Sequence, residues 1–166
     1  MYKRQAIDSA DVIILTSPVY VYHCTGSMKA WLDHYGYRWM LHRPNPDMFS
    51  KQGVCISTAA GAGTKWTNKD MADSMFFWGM GKIYRYGTAV HAINYKSISP
   101  EKMAEIEKAT DKLAEKIRKN YGHVKPGLKT KTYFEVMRKL VKSGWNEVDV
   151  AYWKEHGWTE KDRPWK

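Results

Sequence analysis

Four apolar residues in a row, Val12-Ile13-Ile14-Leu15, form a run with no polar alternation. A strand covered on both faces of a parallel sheet reads this way. The stretch from Ala10 to Tyr20 ends in Thr16-Ser17-Pro18-Val19-Tyr20, a short loop carrying a proline and an aromatic ring. A helix is predicted next, from Ser27 to about Leu41. Met28, Trp31, Leu32, Tyr35 and Trp39 recur there at spacings of three and four, making one apolar stripe. Thr25 or Ser27 can cap its start, and Arg43-Pro44-Asn45-Pro46 breaks the helix and begins a loop.

The same order then repeats. Gly53 to Thr58 reads as a second buried strand, ended by Ala59-Ala60-Gly61-Ala62-Gly63, and a helix is expected from about Thr67 to Met80 with Met71, Met75 and Trp78 inward. A third strand lies within Ile83 to Ile93, where Tyr84, Tyr86, Thr88 and Val90 suit a pleated surface. Ser99-Pro100-Glu101 combines a cap, a first-turn proline and an acid, so a helix should start there and run to about Asn120. Alternating strands and helices imply βαβ units and a mostly parallel sheet. Ligands of such sheets bind at the carboxyl ends of the strands, where the loops after Leu15 and after Thr58 fall.

Past Lys125-Pro126-Gly127 the character changes. Tyr133, Phe134, Met137 and Leu140 suggest one more helix, and Trp145, Tyr152, Trp153, Trp158 and Trp165 crowd the end of the chain. So many large aromatics rarely stay in water. We therefore expect a domain over 1–121 and an extension over 122–166 that packs on it or on a second subunit.

Composition narrows the function classes. At 166 residues the chain suffices for one domain with a real core, and 43% hydrophobic with 27% charged residues is ordinary for a soluble protein. An excess of 27 Lys and Arg over 17 Asp and Glu gives +10, which could favour nucleic acid, a membrane surface or phosphorylated small molecules. Yet Lys51, Lys65, Lys82, Arg85, Lys102 and Lys108 are spread out, usually near an acid, with no nucleic-acid-binding signature. A solvated surface explains them, and no nucleic-acid partner is expected. Cys24 and Cys55 lack a CxxC partner, which speaks against a disulfide scaffold or a complete metal site and fits a reducing, cytoplasmic location. The longest apolar run is too short to cross a bilayer, so no membrane partner is expected.

Residues Ala10 to Tyr20, with Gly26-Ser27-Met28-Lys29-Ala30-Trp31-Leu32-Asp33 after them, resemble the flavodoxin-like family of NAD(P)H-dependent FMN reductases, including flavodoxin-domain iron–sulfur flavoproteins. There they correspond to the third strand, its Ser-Pro-x-Tyr flavin loop and the following helix. Val54 to Gly63 is similar to the fourth strand and its glycine-rich flavin loop. The resemblance implies a flavodoxin-like three-layer α/β sandwich with a parallel sheet, here missing its first strands, plus the aromatic helical C-terminal extension. It implies FMN as cofactor, NAD(P)H as electron donor, a small-molecule electron acceptor and a homo-oligomer. The implied flavin-binding residues are Ser17, Pro18, Val19, Tyr20, Thr58, Ala59, Gly61 and Gly63. Family members open with a strand and a Gly/Ser/Thr/Asn-rich loop around the FMN phosphate, which this chain lacks upstream. The expectation is therefore a fragment with impaired phosphate binding, its third strand left as a sheet edge, and no support for an iron–sulfur cluster.

The residues can support that chemistry. Pro18 fixes its own φ, Tyr20 offers an aromatic wall that Tyr22 could extend, and Gly61 and Gly63 uncover backbone for close approach. Hydride passes directly from nicotinamide to flavin, so stacking geometry suffices and no catalytic side chain is named. Each piece also has a plainer reading. Ser-Pro-Val-Tyr and the glycines can be turns, Lys29 and Asp33 can pair with each other one helical turn apart, and Cys24 can be incidental. Cys55 reads as core, and His23, His34 and His42 lack ligand spacing for a metal. The alternative function is a non-catalytic dimerisation or interaction module that docks through an open sheet edge and the aromatic tail.

Overall fold

The computed structural model describes residues 2–166. Three parallel strands lie side by side in chain order, β1 (Val12–Pro18), β2 (Gln52–Ala59) and β3 (Lys82–Ala89). Helices α2 (Gly26–His34) and α3 (Thr64–Phe77) make the crossovers, and α4 (Pro100–Asn120) follows β3. The register Ile13↔Gly53↔Ile83 and Leu15↔Cys55 sets one face of the sheet, because alternate residues point to opposite sides. That face carries the main core, in which Ile13, Leu15, Cys55, Met71, Met75, Trp78 and Met80 are buried together with Leu32 and Tyr35. On the opposite face α4 lies over β2 and β3. Gln52 Nε2 donates to Ile117 O at 3.0 Å, and Tyr84 Oη donates to Gln52 Oε1 at 2.9 Å. This is the expected flavodoxin-like α/β sandwich, with the sheet between helical layers.

The first strand corrects one expectation. The run Val12 to Leu15 is covered on one face only: Ile13 and Leu15 are buried, whereas Ile14 is 56% exposed. The cause is the placement of α4, which leaves the outer face of β1 bare. Among the described residues β1 pairs only with β2, so it forms a sheet edge, as the resemblance implied.

Helix boundaries show where tertiary structure overrides periodicity. The Thr25 side chain caps α2 by accepting from Met28 N, but the helix stops at His34, well short of Leu41. The chain tightens into a 3-10 turn over Gly36–Arg38, which lets Trp39 stack on Phe77 at 4.6 Å. Helix α3 begins three residues earlier than the pattern suggested, since Gly63 adopts φ 103 and turns the chain directly into it. Helix α4 starts as expected, with Ser99 capping Lys102 N.

Helix α1 (Tyr2–Ser9) carried no clear signal in the sequence. Buried Lys51 donates to Asp8 O and Ala10 O, both at 2.6 Å, placing a cation at the carbonyl end of α1. Arg38 and Asn45 also bond the Asp8 carboxylate.

The aromatic tail clusters with residues that precede β2. Helices α5 (Leu128–Lys142) and α6 (Glu147–Glu155), with Trp158 just after them, build a second core of Phe134, Met137, Val141, Trp153 and Trp158 around Met40 and Phe49. Trp153 Nε1 donates to His42 O, and Tyr152 Oη to Pro44 O, both at 2.7 Å. The buried Asp149 carboxylate holds His42 Nδ1 at 2.8 Å and Arg43 Nε at 3.3 Å. Among the described residues no helix is long and apolar enough to cross a membrane.

Candidate functional site

Adjacent parallel strands deliver their following loops to the same end of the sheet, and here the two loops are in contact. Pro18 lies opposite Thr58 in the ladder, and Val19 N donates to Thr58 O at 2.9 Å. A Cβ at Gly63 would sit 2.6 Å from Val19 Cγ1 and 3.2 Å from Tyr22 Cα, so glycine is required for the loops to close on each other. Pro18, Thr58 and Gly61 are exposed there, and Tyr20 is 64% exposed. Ser17 is placed differently: its buried hydroxyl accepts from Thr25 N at 3.1 Å and donates to Pro18 O at 2.9 Å. Ala59 is buried as well. These two residues shape the loops from beneath, and the other six stand at or near their surface.

The first loop is a tight hairpin. Tyr20 and His23 exchange both backbone hydrogen bonds, at 2.9 and 3.0 Å, around two central residues with positive φ, Val21 at 48° and Tyr22 at 67°. Turns of this hand normally use Asn-Gly, because a β-branched residue in left-handed backbone costs roughly 1–2 kcal/mol. Val21 and Tyr22 are nevertheless 91% and 58% exposed, so burial does not compensate. Strain of this kind concentrates where a loop must present particular groups.

Helix α3 holds the hairpin. Asp70 Oδ2 accepts from Cys24 N at 3.1 Å and lies 3.0 Å from His23 Nδ1. One turn earlier, buried Thr67 reaches Tyr22 O from Oγ1 at 3.4 Å. Burial, and then the Asp70 charge, raise the Cys24 thiol above its ordinary value. Burial pushes Cys55 further, to about 12. Both remain protonated at neutral pH, so neither is a thiolate nucleophile.

Beside the hairpin a groove of about 500 Å³ runs along the outer edge of β1, lined by Leu15, Thr16, Pro18, Thr25, Ser27, Met28 and Trp31. Its chemistry is flat apolar surface with three hydroxyls. Of the flavin-binding residues expected from the sequence, only Pro18 is among this lining. No lysine or arginine is among these lining residues. Among the described residues no group of three His, Cys, Asp or Glu side chains could hold a metal ion.

Asp70, Thr67 and the Val21–Tyr22 conformation were not legible in the sequence. Asp70 lies 47 residues from His23 in the chain, and valine is among the residues least expected at positive φ.

The family model described as NADPH-dependent FMN reductase matches residues 3–94, more than half of the chain. Among solved structures, a flavone reductase superposes with a TM-score of 0.52 at 18% identity, covering 76% of this chain and 48% of its own. The chain thus spans about half the length of that protein, and the likeness is one of fold. A thermophilic tryptophan halogenase from Streptomycin violaceusniger gives a TM-score of 0.47 at 16% identity, covering 66% of this chain and 68% of that one. General stress protein 14 from Treponema denticola, determined in complex with FMN, gives 0.45 at 15% identity, covering 68% of each chain. No curated protein sequence matches.

Proposed function

The chain belongs to the NADPH-dependent FMN reductase family, and from that membership we propose that it binds FMN across its two converging loops and transfers electrons from NAD(P)H to a small acceptor. The observation carrying this reading is the contact of the Pro18–Tyr22 loop with the Thr58–Gly63 loop at the carboxyl ends of β1 and β2. FMN, when bound, supplies the two-electron redox chemistry. The protein's own residues supply place and orientation.

Pro18 and the Val19–Thr58 hydrogen bond hold one loop shape, so backbone donors need not reorganise when a ligand arrives. Tyr20 and Tyr22 offer aromatic faces to a ring, while Gly61, exposed and without a Cβ, allows the backbone to approach. Ser17 and Ala59 support these residues from below. The hydroxyls of Thr16, Thr25 and Ser27 suit the ribityl chain. Phosphate recognition is the weakest part of the fit. Each charge-assisted hydrogen bond not made would weaken binding by roughly 1.5–3 kcal/mol.

The test is NADPH oxidation by the purified chain with and without added FMN, under a terminal small acceptor such as a quinone. Oxidation that requires FMN, saturates with it and needs the intact chain is the expected result. No turnover at saturating FMN would reject the oxidoreductase reading. The second reading, an interaction module, rests on bare Ile14 and the unpaired side of β1. It is favoured if the inactive protein self-associates in light scattering.

A further inference from the structure

Nothing in the flavin reading uses Asp70, which lies on α3 and reaches out to a loop 47 residues earlier in the chain. Its carboxylate binds both sides of the hairpin's exit: Oδ2 takes the Cys24 amide hydrogen at 3.1 Å and faces His23 Nδ1 at 3.0 Å. The residue is only partly exposed, at 26% for the side chain, whereas its partner His23 is open to solvent at 64%. Thr67, one helical turn before it, shares its single hydroxyl hydrogen between Tyr22 O at 3.4 Å and its own helix's Gly63 O at 3.3 Å. Two side chains of α3 thus grip consecutive residues of a turn whose backbone conformation its own residues disfavour. A turn built from Val21 and Tyr22 would relax toward ordinary backbone angles unless something outside it fixed His23 and Cys24.

We propose that Asp70 is a positioning residue of the flavin site: it clamps the left-handed Val21–Tyr22 turn to α3 and so fixes Tyr20 and Tyr22 where the ring is to lie. The proposal rests on the FMN-binding reading for its target and on the hairpin geometry for its mechanism. Asp70 itself touches no ligand; it acts through the backbone of residues 23 and 24. Asp70 also lies beside the buried Cys24 thiol, but its hold on the backbone is through the Cys24 amide.

The experiment compares wild type with Asp70→Ala, Asp70→Asn and the double variant Asp70→Ala/Val21→Gly. Amide hydrogen exchange and FMN affinity, by quenching of flavin fluorescence, are measured on each. Removing the clamp should accelerate exchange at Tyr20 and His23 by roughly tenfold or more, leaving the core amide of Val54 unchanged. FMN affinity should fall by about the same factor, equivalent to about 1.4 kcal/mol. Asparagine keeps an oxygen for the Cys24 amide, so Asp70→Asn should lie between wild type and alanine. Glycine at position 21 accepts positive φ without a clamp, so the double variant should recover part of the lost affinity. Unchanged exchange at Tyr20 and His23 in Asp70→Ala overturns the clamp. Faster exchange with unaltered FMN affinity overturns the positioning role while leaving the flavin reading in place. Wild type that fails to bind FMN, by contrast, removes the flavin reading itself, and with it any role for Asp70 in orienting the ring.

Discussion

At the scale of single residues, the same side-chain types do opposite jobs in this chain, and position decides which. Ser17 and Thr58 both sit at strand ends beside the loops. Ser17 is spent on internal hydrogen bonds, whereas Thr58 is exposed. Spacing in the sequence could not separate them, because which face a residue takes at the last pleat depends on the partner strand. Cys55 was legible: an apolar mid-strand position is core in any arrangement of the sheet. Its burial has a measurable consequence. The thiol is pushed from 9.0 to about 12 in the folded chain, so between those values the unfolded state loses its proton and the native state keeps it. The stability contributed is complete below about pH 9 and is lost as pH rises toward 12. Urea denaturation from pH 8 to 11 should therefore show wild-type stability falling more steeply than that of Cys55→Ala, by up to about 1.4 kcal/mol per pH unit. Parallel pH curves for the two proteins would refute this.

Elements with self-contained signals were read from the sequence with good boundaries. Helix α4 begins at Pro100 after its Ser99 cap and ends at Asn120, where the apolar spacing also ends. Elements whose ends depend on remote partners were not. Helix α2 stops early so that Trp39 can stack on Phe77, and α1 is anchored by Lys51, Arg38 and Asn45, which lie 30 to 43 residues away from Asp8. Helix α6 was hidden among the aromatics of the tail. It docks through Asp149, which Asn146 places in the first turn and which then takes His42 and Arg43 from the distant loop after α2. Replacing Asp149 with alanine leaves His42 without its buried hydrogen-bond partner and Arg43 without its counter-ion. The loss should be about 1–3 kcal/mol of unfolding free energy at neutral pH. A denaturation midpoint equal to wild type would show that Trp153 and Tyr152 alone secure the tail.

For the whole molecule, an α/β sandwich with a parallel sheet was legible from the alternation of elements, and the end of the sheet at which a ligand is expected followed from chain direction alone. The open side of β1 was legible only in part. Its apolar run implied burial on both faces, yet coverage by α4 reaches β2 and β3 and leaves Ile14 bare. The candidate site lies where that open edge meets the loop end of the sheet, so groove, hairpin and glycine loop share one corner of the molecule. No lysine or arginine is among the residues that line the groove.

The most direct test follows backbone amides of the isotope-labelled chain by NMR while FMN is titrated in. If the two loops form one flavin site, the amides of Val19, Tyr20, Gly61 and Gly63 shift together with a single saturation curve, and those of α5 and α6 do not move. Absence of shifts at millimolar FMN, or shifts confined to residues away from both loops, would contradict the account.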